Sequence, residues 1–182
     1  MLHFKFNLDK AVATILYISK QGVNDLYTLL KIIYFAEKKH IRKYGMPILG
    51  DSFSAMEHGP VPSTTYNIIK YVRGDNSNPF CDCEKDNLKD FFEVKNVKYI
   101  NPLKDPDVDE FSESDLECLK ESIEENRDLG FEKLKEKSHD SAYYKVDEND
   151  IMSYEDIAEC ENTPIELIER LKYLSENEAI FK

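Results

Sequence analysis

Ser138-His139-Asp140 holds the three side-chain types of an acyl-transfer centre in one unbroken run. The run does not by itself make that centre. Consecutive side chains on a helix or strand diverge, and a nucleophile–base–acid relay is assembled from distant segments that converge. No Gly-x-Ser-x-Gly elbow, phosphate-binding glycine loop or His-Glu-x-x-His pair occurs in the chain. Cys118 stands two residues after Leu116, near the apolar face of a predicted helix, which predicts a buried and inert thiol. Cys81-x-Cys83 is one residue tighter than the common zinc knuckle, and neither a second cysteine pair nor a His-x3-His pair completes four ligands. Those two cysteines read as loop thiols. The expectation is a chain with no catalytic residue, no bound metal and no cofactor.

His58 and His139 carry the remaining chemistry. Each could recognise a partner or act as a general base. Each could instead lock a loop by bonding backbone carbonyls. His58 precedes Gly59-Pro60 and His139 sits at a helix junction; both contexts favour the locking role.

The elements that must position these residues are mostly helices. Val12, Ile15 and Leu16 set a helical spacing over Asp9–Lys20, with Gly22 suited to its end. Asn24 or Asp25 can cap the next helix. There Leu26, Leu29, Leu30, Ile33, Tyr34, Glu37 and Ile41 recur at one face, and all but one are apolar. Gly45 and Pro47 stop it. Residues 47–56 predict a small hairpin turning at Gly50-Asp51. Ser63 predicts the cap of a helix whose buried stripe is Tyr66, Ile69 and Val72, and which Gly74 ends. Residues 75–87 read as a polar loop. A second hairpin is expected around Lys95-Asn96, from Phe92–Val94 and Val97–Tyr99.

Three capping boxes punctuate the C-terminal half, led by Ser112, Ser153 and Thr163. The last predicts a helix with Ile165, Ile168, Leu171 and Leu174 inward. Phe131–Lys137 predicts a short helix between them, and Ser138-His139-Asp140 is expected to lead into another around Ala142–Tyr144. The fold class is mostly α (α+β), a compact helical domain with one or two small β-hairpins.

The chain has 182 residues and a net charge of −12. Residues 1–73 carry 10 Lys/Arg against 5 Asp/Glu, and residues 74–182 carry 14 against 31. The asymmetry fits two differently solvated halves of one fold, or an acidic half that faces a basic partner. No run of about 18 apolar residues exists, so no membrane span is expected. The N-terminus lacks a long apolar segment, and with four cysteines read as free thiols the expected compartment is the cytoplasm.

Helix, Gly22 turn, helix and hairpin is also the order of a winged helix-turn-helix. A recognition helix reads bases mainly from its first residues. Here those are Asn24, Asp25, Tyr27 and Thr28, with no Arg or Lys. Net acidity opposes the phosphate attraction that dominates such affinity, so nucleic acid is not the expected partner.

One ordered block runs through these elements. It comprises Leu30-x2-Ile33-Tyr34-Phe35-Ala36, His40-x3-Tyr44-Gly45-x-Pro47-Ile48, Asp51-x-Phe53-x-Ala55, and Gly59-Pro60-Val61 onward to Tyr66. The block resembles the opening of the Panacea domain family, the SocA-like antitoxins of bacterial and phage toxin–antitoxin pairs. A second block is the serine-led helix at Ser112, followed by Leu134 and Ser138-His139. The family often has a tryptophan after that Ser-His; this chain has none, and Tyr143 is the nearest aromatic. The likeness covers Val12 to Ile157, so residues 1–182 are expected to form one Panacea-like domain. Residues 159–182 would be a helical tail outside the matched region.

The resemblance implies neutralisation of a cognate protein toxin by direct contact. Some similar proteins instead hand a toxin to a cytoplasmic protease. Phage-associated homologues of unassigned role are also similar, and a DNA-binding phage-associated regulator is a further alternative. The candidate partner-binding residues are His58, Gly59, Pro60, Val61 and Tyr66, with His139 nearby. Each could equally be a core or loop-locking residue.

Overall fold

The apolar stripe from Leu26 to Ile41 becomes the axis of the molecule. The computed structural model describes residues 1–75 and 88–177. Its helices are α1 (Leu8–Lys20), α2 (Leu26–Tyr44), α3 (Ser63–Arg73), α4 (Glu113–Asn126), α5 (Phe131–Ser138), α6 (Tyr154–Cys160) and α7 (Ile165–Asn177). Its strands are β1 (Phe53–Met56), β2 (Gly59–Pro62), β3 (Phe92–Lys95), β4 (Tyr99–Pro102) and β5 (Ile151–Met152). The class is mostly α with small antiparallel strand pairs.

Asn7 caps α1 by accepting the Lys10 N–H, and Asp25 caps α2 by accepting the Thr28 N–H. Every residue of the predicted α2 stripe is buried, and so are Lys31, Ile32, Phe35, Ala36, Lys38 and His40. A helix buried on nearly every side has to be surrounded. α1, α4, α5, α6, α7 and β2 all pack on it. The core divides along this axis. One cluster joins α1, the start of α2, α3, the β3–β4 pair and α4. The other joins the far half of α2, β1, α6 and α7.

The first hairpin lies later than the expected 47–56. β1 pairs with β2, Phe53 opposite Pro62 and Met56 opposite Gly59, so Glu57-His58 is the turn. Gly50-Asp51 is not a hairpin turn, because the side chains around it hold the chain otherwise. The Ile48 and Leu49 N–H groups donate to the Glu37 carboxylate at 2.7 and 2.8 Å. Asp51 reaches the start of α3, accepting the Thr64 and Thr65 N–H groups at 2.9 and 2.8 Å. Asp51 thereby does the capping expected of Ser63, which lies inside the helix. The buried face of α3 is correspondingly Thr65, Ile68 and Ile69, with Tyr66 and Val72 half-buried. β5 adds a third strand to β1, giving the order β2-β1-β5. Two residues are too few for alternation to show in a sequence.

The second hairpin is present, with its return strand starting at Tyr99 rather than Val97. Asn96 and Val97 both take positive φ, which lengthens the turn. The Ser112 capping box forms with Asp115, and Ser153 accepts the Asp156 N–H. Thr163 does not cap α7; its Oγ1 is buried with no partner among the described residues. Leu171 is fully buried and Ile168 and Leu174 half-buried, but Ile165 is 61% exposed, so the inward stripe starts a turn later than expected. The expected loop at 75–87, with Cys81 and Cys83, lies beyond Asp75 outside the described residues.

Candidate functional site

Gly59 is where three distant segments meet. Its φ of +93° suits glycine. A Cβ there would run into Ser138 Oγ, and would stand 3.0 Å from Lys31 Nζ and 3.1 Å from His139 Cδ2. β2, α2 and the end of α5 therefore close on one another only because this residue has no side chain.

The turn before Gly59 is gripped from both flanks. Tyr27 OH donates to the His58 carbonyl at 3.0 Å, and Tyr143 OH donates to the Met56 carbonyl at 3.0 Å. Aromatic rings continue the grip. Tyr27 packs on Phe131 with ring centres 4.6 Å apart, and Phe131 meets the edge of His58 at 5.3 Å. On the other flank His139 stacks on Tyr143 at 4.1 Å. His58 itself is exposed, and Phe131 is 43% exposed. A rigid turn thus presents an aromatic surface.

A groove of about 370 Å³ opens beside it. His58, Gly59, Val61 and Tyr66 line it, with Leu26, Leu30 and Met56 supplying apolar wall. Pro60 is buried and contributes its carbonyl, which accepts the Lys31 ammonium at 2.7 Å. His139 does not line the groove; it lies behind Gly59. Burial lowers the His139 pKa, and the cations Lys135 and Lys31 lower it further. Its Nε2 has no hydrogen-bond partner among the described residues. The loop-locking role therefore falls to the tyrosines, and among the described residues neither the His58 nor the His139 ring bonds a backbone carbonyl.

Ser138-His139-Asp140 does not converge. Ser138 is buried and donates to the Lys135 carbonyl at 3.1 Å. Asp140 turns to α2, accepting Tyr34 OH at 2.9 Å and Lys38 Nζ at 2.5 Å, while its other oxygen accepts the Ala142 and Tyr143 N–H groups. Cys118 is buried at 0% exposure, and burial pushes its thiol up to about 12. The body of α2 is enclosed, and the Leu26 N–H at its start donates to the Lys98 carbonyl beside β4. Among the described residues no helix is long and apolar enough to cross a membrane.

Tyr27, Lys31 and Phe131 are not among the partner-binding residues expected from the sequence. Lys31 did leave a signal: it is the one polar residue in Leu29–Phe35. A lone lysine in such a run on an enclosed helix must itself be buried. Phe131 left none, because nothing local separates an exposed ring from a core one.

The family model described as "Antitoxin SocA-like, Panacea domain" matches residues 29–145. That span takes in α2 from Leu29 on, the first hairpin, the groove lining apart from Asp25, Leu26 and Tyr27, and the Ser138-His139 corner. No curated protein and no solved structure matches the chain.

Proposed function

The chain belongs to the SocA-like antitoxin family with a Panacea domain, and from that membership we propose that it binds a cognate protein toxin and neutralises it by direct contact in the cytoplasm. The family match carries the reading. The groove beside the β1–β2 turn is the docking surface that best suits it. Its partner-binding residues are His58, Gly59, Pro60, Val61 and Tyr66, with His139 behind them. Apolar wall, aromatic rim and a clamped turn favour binding, since a rigid surface loses little entropy on complex formation and aromatic residues supply most anchoring energy. The role needs no catalytic group, metal or cofactor.

The test is co-expression of the chain with the product of its neighbouring gene, scoring growth and co-purification together. Rescue with a stable complex is the expected result. Rescue in which the partner disappears would assign delivery to a protease instead. No rescue and no complex would sink the antitoxin reading and raise that of a phage-associated regulator. His58→Ala, at an exposed position, is expected to weaken the complex at least about tenfold, roughly 1.4 kcal/mol, with unchanged melting. Unchanged binding would remove His58 from the docking surface.

A further inference from the structure

Two lysines of α2, seven residues apart, are buried and are treated differently by the fold. Lys38 pairs with Asp140 at 2.5 Å and Glu161 at 2.8 Å. Lys31, 1% exposed, faces no carboxylate among the described residues. Its ammonium donates to the Pro60 carbonyl and lies 5.1 Å from the centre of the Tyr27 ring. An ammonium has three N–H donors; one meets the neutral Pro60 carbonyl and none meets a charged acceptor among the described residues. Burial pulls its pKa down to about 7. A buried cation without a counter-ion is costly, and an apolar residue of the same length would relieve the cost. Such groups concentrate where function retains them.

Lys31 is part of the groove wall, together with Leu26, Leu30, Val61 and Tyr66. The other charges at the groove do not compensate it. The Asp25 carboxylate is taken up by the Thr28 N–H and Oγ1. Arg73 is engaged by Asp75 and the Val97 carbonyl. Lys98 adds positive charge and Glu57 is exposed on the turn. We propose that the groove receives an acidic side chain of the protein partner, next to an apolar one, and that its carboxylate pairs with Lys31. The pairing supplies the charge-assisted hydrogen bond that the free protein lacks, and the apolar neighbour covers the Leu26–Leu30–Val61 wall. The identity of the partner as a protein toxin rests on the function proposed above; the carboxylate preference does not.

Two short probes separate the alternatives. The full chain, labelled with ¹⁵N, is titrated with N-acetyl-phenylalanyl-glutamate amide and with its glutamine counterpart. The glutamate peptide is expected to shift the amides of Tyr27, Gly59 and Tyr66, and to bind about tenfold more tightly than the glutamine peptide. Lys31→Met is expected to erase that difference and to melt at the same or a higher temperature. Equal binding of the two peptides, no binding of either, or a preference that survives Lys31→Met overturns the proposal. Should that variant fail to fold, the wild-type comparison of the two peptides still decides. The neighbouring gene product separates the two readings. If it binds wild type and Lys31→Met equally, the carboxylate pairing fails and the antitoxin role stands. If the glutamate peptide binds and that protein does not, the pairing stands and the toxin assignment fails.

Discussion

Gly59→Ala places a methyl group against Ser138, Lys31 and His139 at a backbone φ of +93°. Strain at such a φ costs about 1–3 kcal/mol before any clash. The expected outcome is a loss of more than about 2 kcal/mol in denaturant unfolding; a variant of wild-type stability would refute the close packing at this corner. Two buried charges on the same helix give opposite pH signatures. Burial pushes Glu37 up from 4.5 to about 7, although two backbone N–H groups favour its ionised form. The folded chain then holds a proton that the unfolded chain has lost, so this contribution to stability falls as pH rises from 4.5 through 7. Lys31, lowered from 10.5 to about 7, works the other way. The unfolded chain binds its proton between those values and the folded chain does not, so this contribution grows as pH rises from 7 to 10.5. Urea denaturation across pH is expected to show the first slope flattened in Glu37→Gln and the second in Lys31→Met. Slopes identical to wild type would mean that both groups titrate normally.

At the scale of elements, side chains far away in sequence fix the helix starts and loops around the groove. Asp51 holds the first turn of α3 through Thr64 and Thr65, and its carbonyl accepts Tyr154 OH at 2.6 Å. Asp51→Ala leaves buried donors at the α3 start without acceptors and is expected to cost about 2–3 kcal/mol, read from denaturant midpoints. A cost within error would show that another group caps α3. The α2–α4 contact mixes strong and weak terms. Ser122, fully buried, donates to the Ile32 carbonyl at 2.7 Å; Ser122→Ala is expected to cost about 1–2 kcal/mol. Lys43 bridges Glu117 and Glu121 at the surface, at 2.8 and 2.6 Å. Solvent and salt screen such pairs, so Lys43→Ala should hardly move the melting temperature. Similar losses for both variants would contradict this ranking.

Over the whole molecule, the charge asymmetry between the two parts of the sequence is partly internal. Lys10, Lys38, Lys39 and Lys43 of the basic part pair with Asp115, Asp140, Glu125 and Glu117 of the acidic part. The excess of acid therefore covers basic helices of the same chain as well as facing solvent. The segment beyond the family match is also packed in. Leu171 is 0% exposed in the cluster with Tyr34, Ile41 and Phe53, and Ser175 exchanges hydrogen bonds with the backbone of His3. Ending the chain after Asn162 uncovers that cluster, and burying one leucine is worth about 1.5–3 kcal/mol. The truncated chain is expected to melt lower or aggregate. Unchanged melting would make α7 an independent appendage.

Helix type and order were legible because each rests on local periodicity and caps: the α2 stripe, the Ser112 box and the Gly45 stop all follow from neighbours within a few residues. The family block was legible for the same reason, being a string of fixed spacings. The position of the first hairpin was not, because Glu37 and Asp51 decide it by reaching 11 to 14 residues along the chain. The candidate site was half legible. Its His58–Tyr66 stretch could be read from the family likeness. Tyr27, Lys31 and Phe131 could not, since what gathers them is the enclosure of α2 and the closeness of three segments at Gly59. Whether a lysine is buried against a carboxylate or against none is settled by which chain folds over it, and only the tertiary structure gives Lys38 its two carboxylates and buries Lys31 beneath the groove against the Pro60 carbonyl.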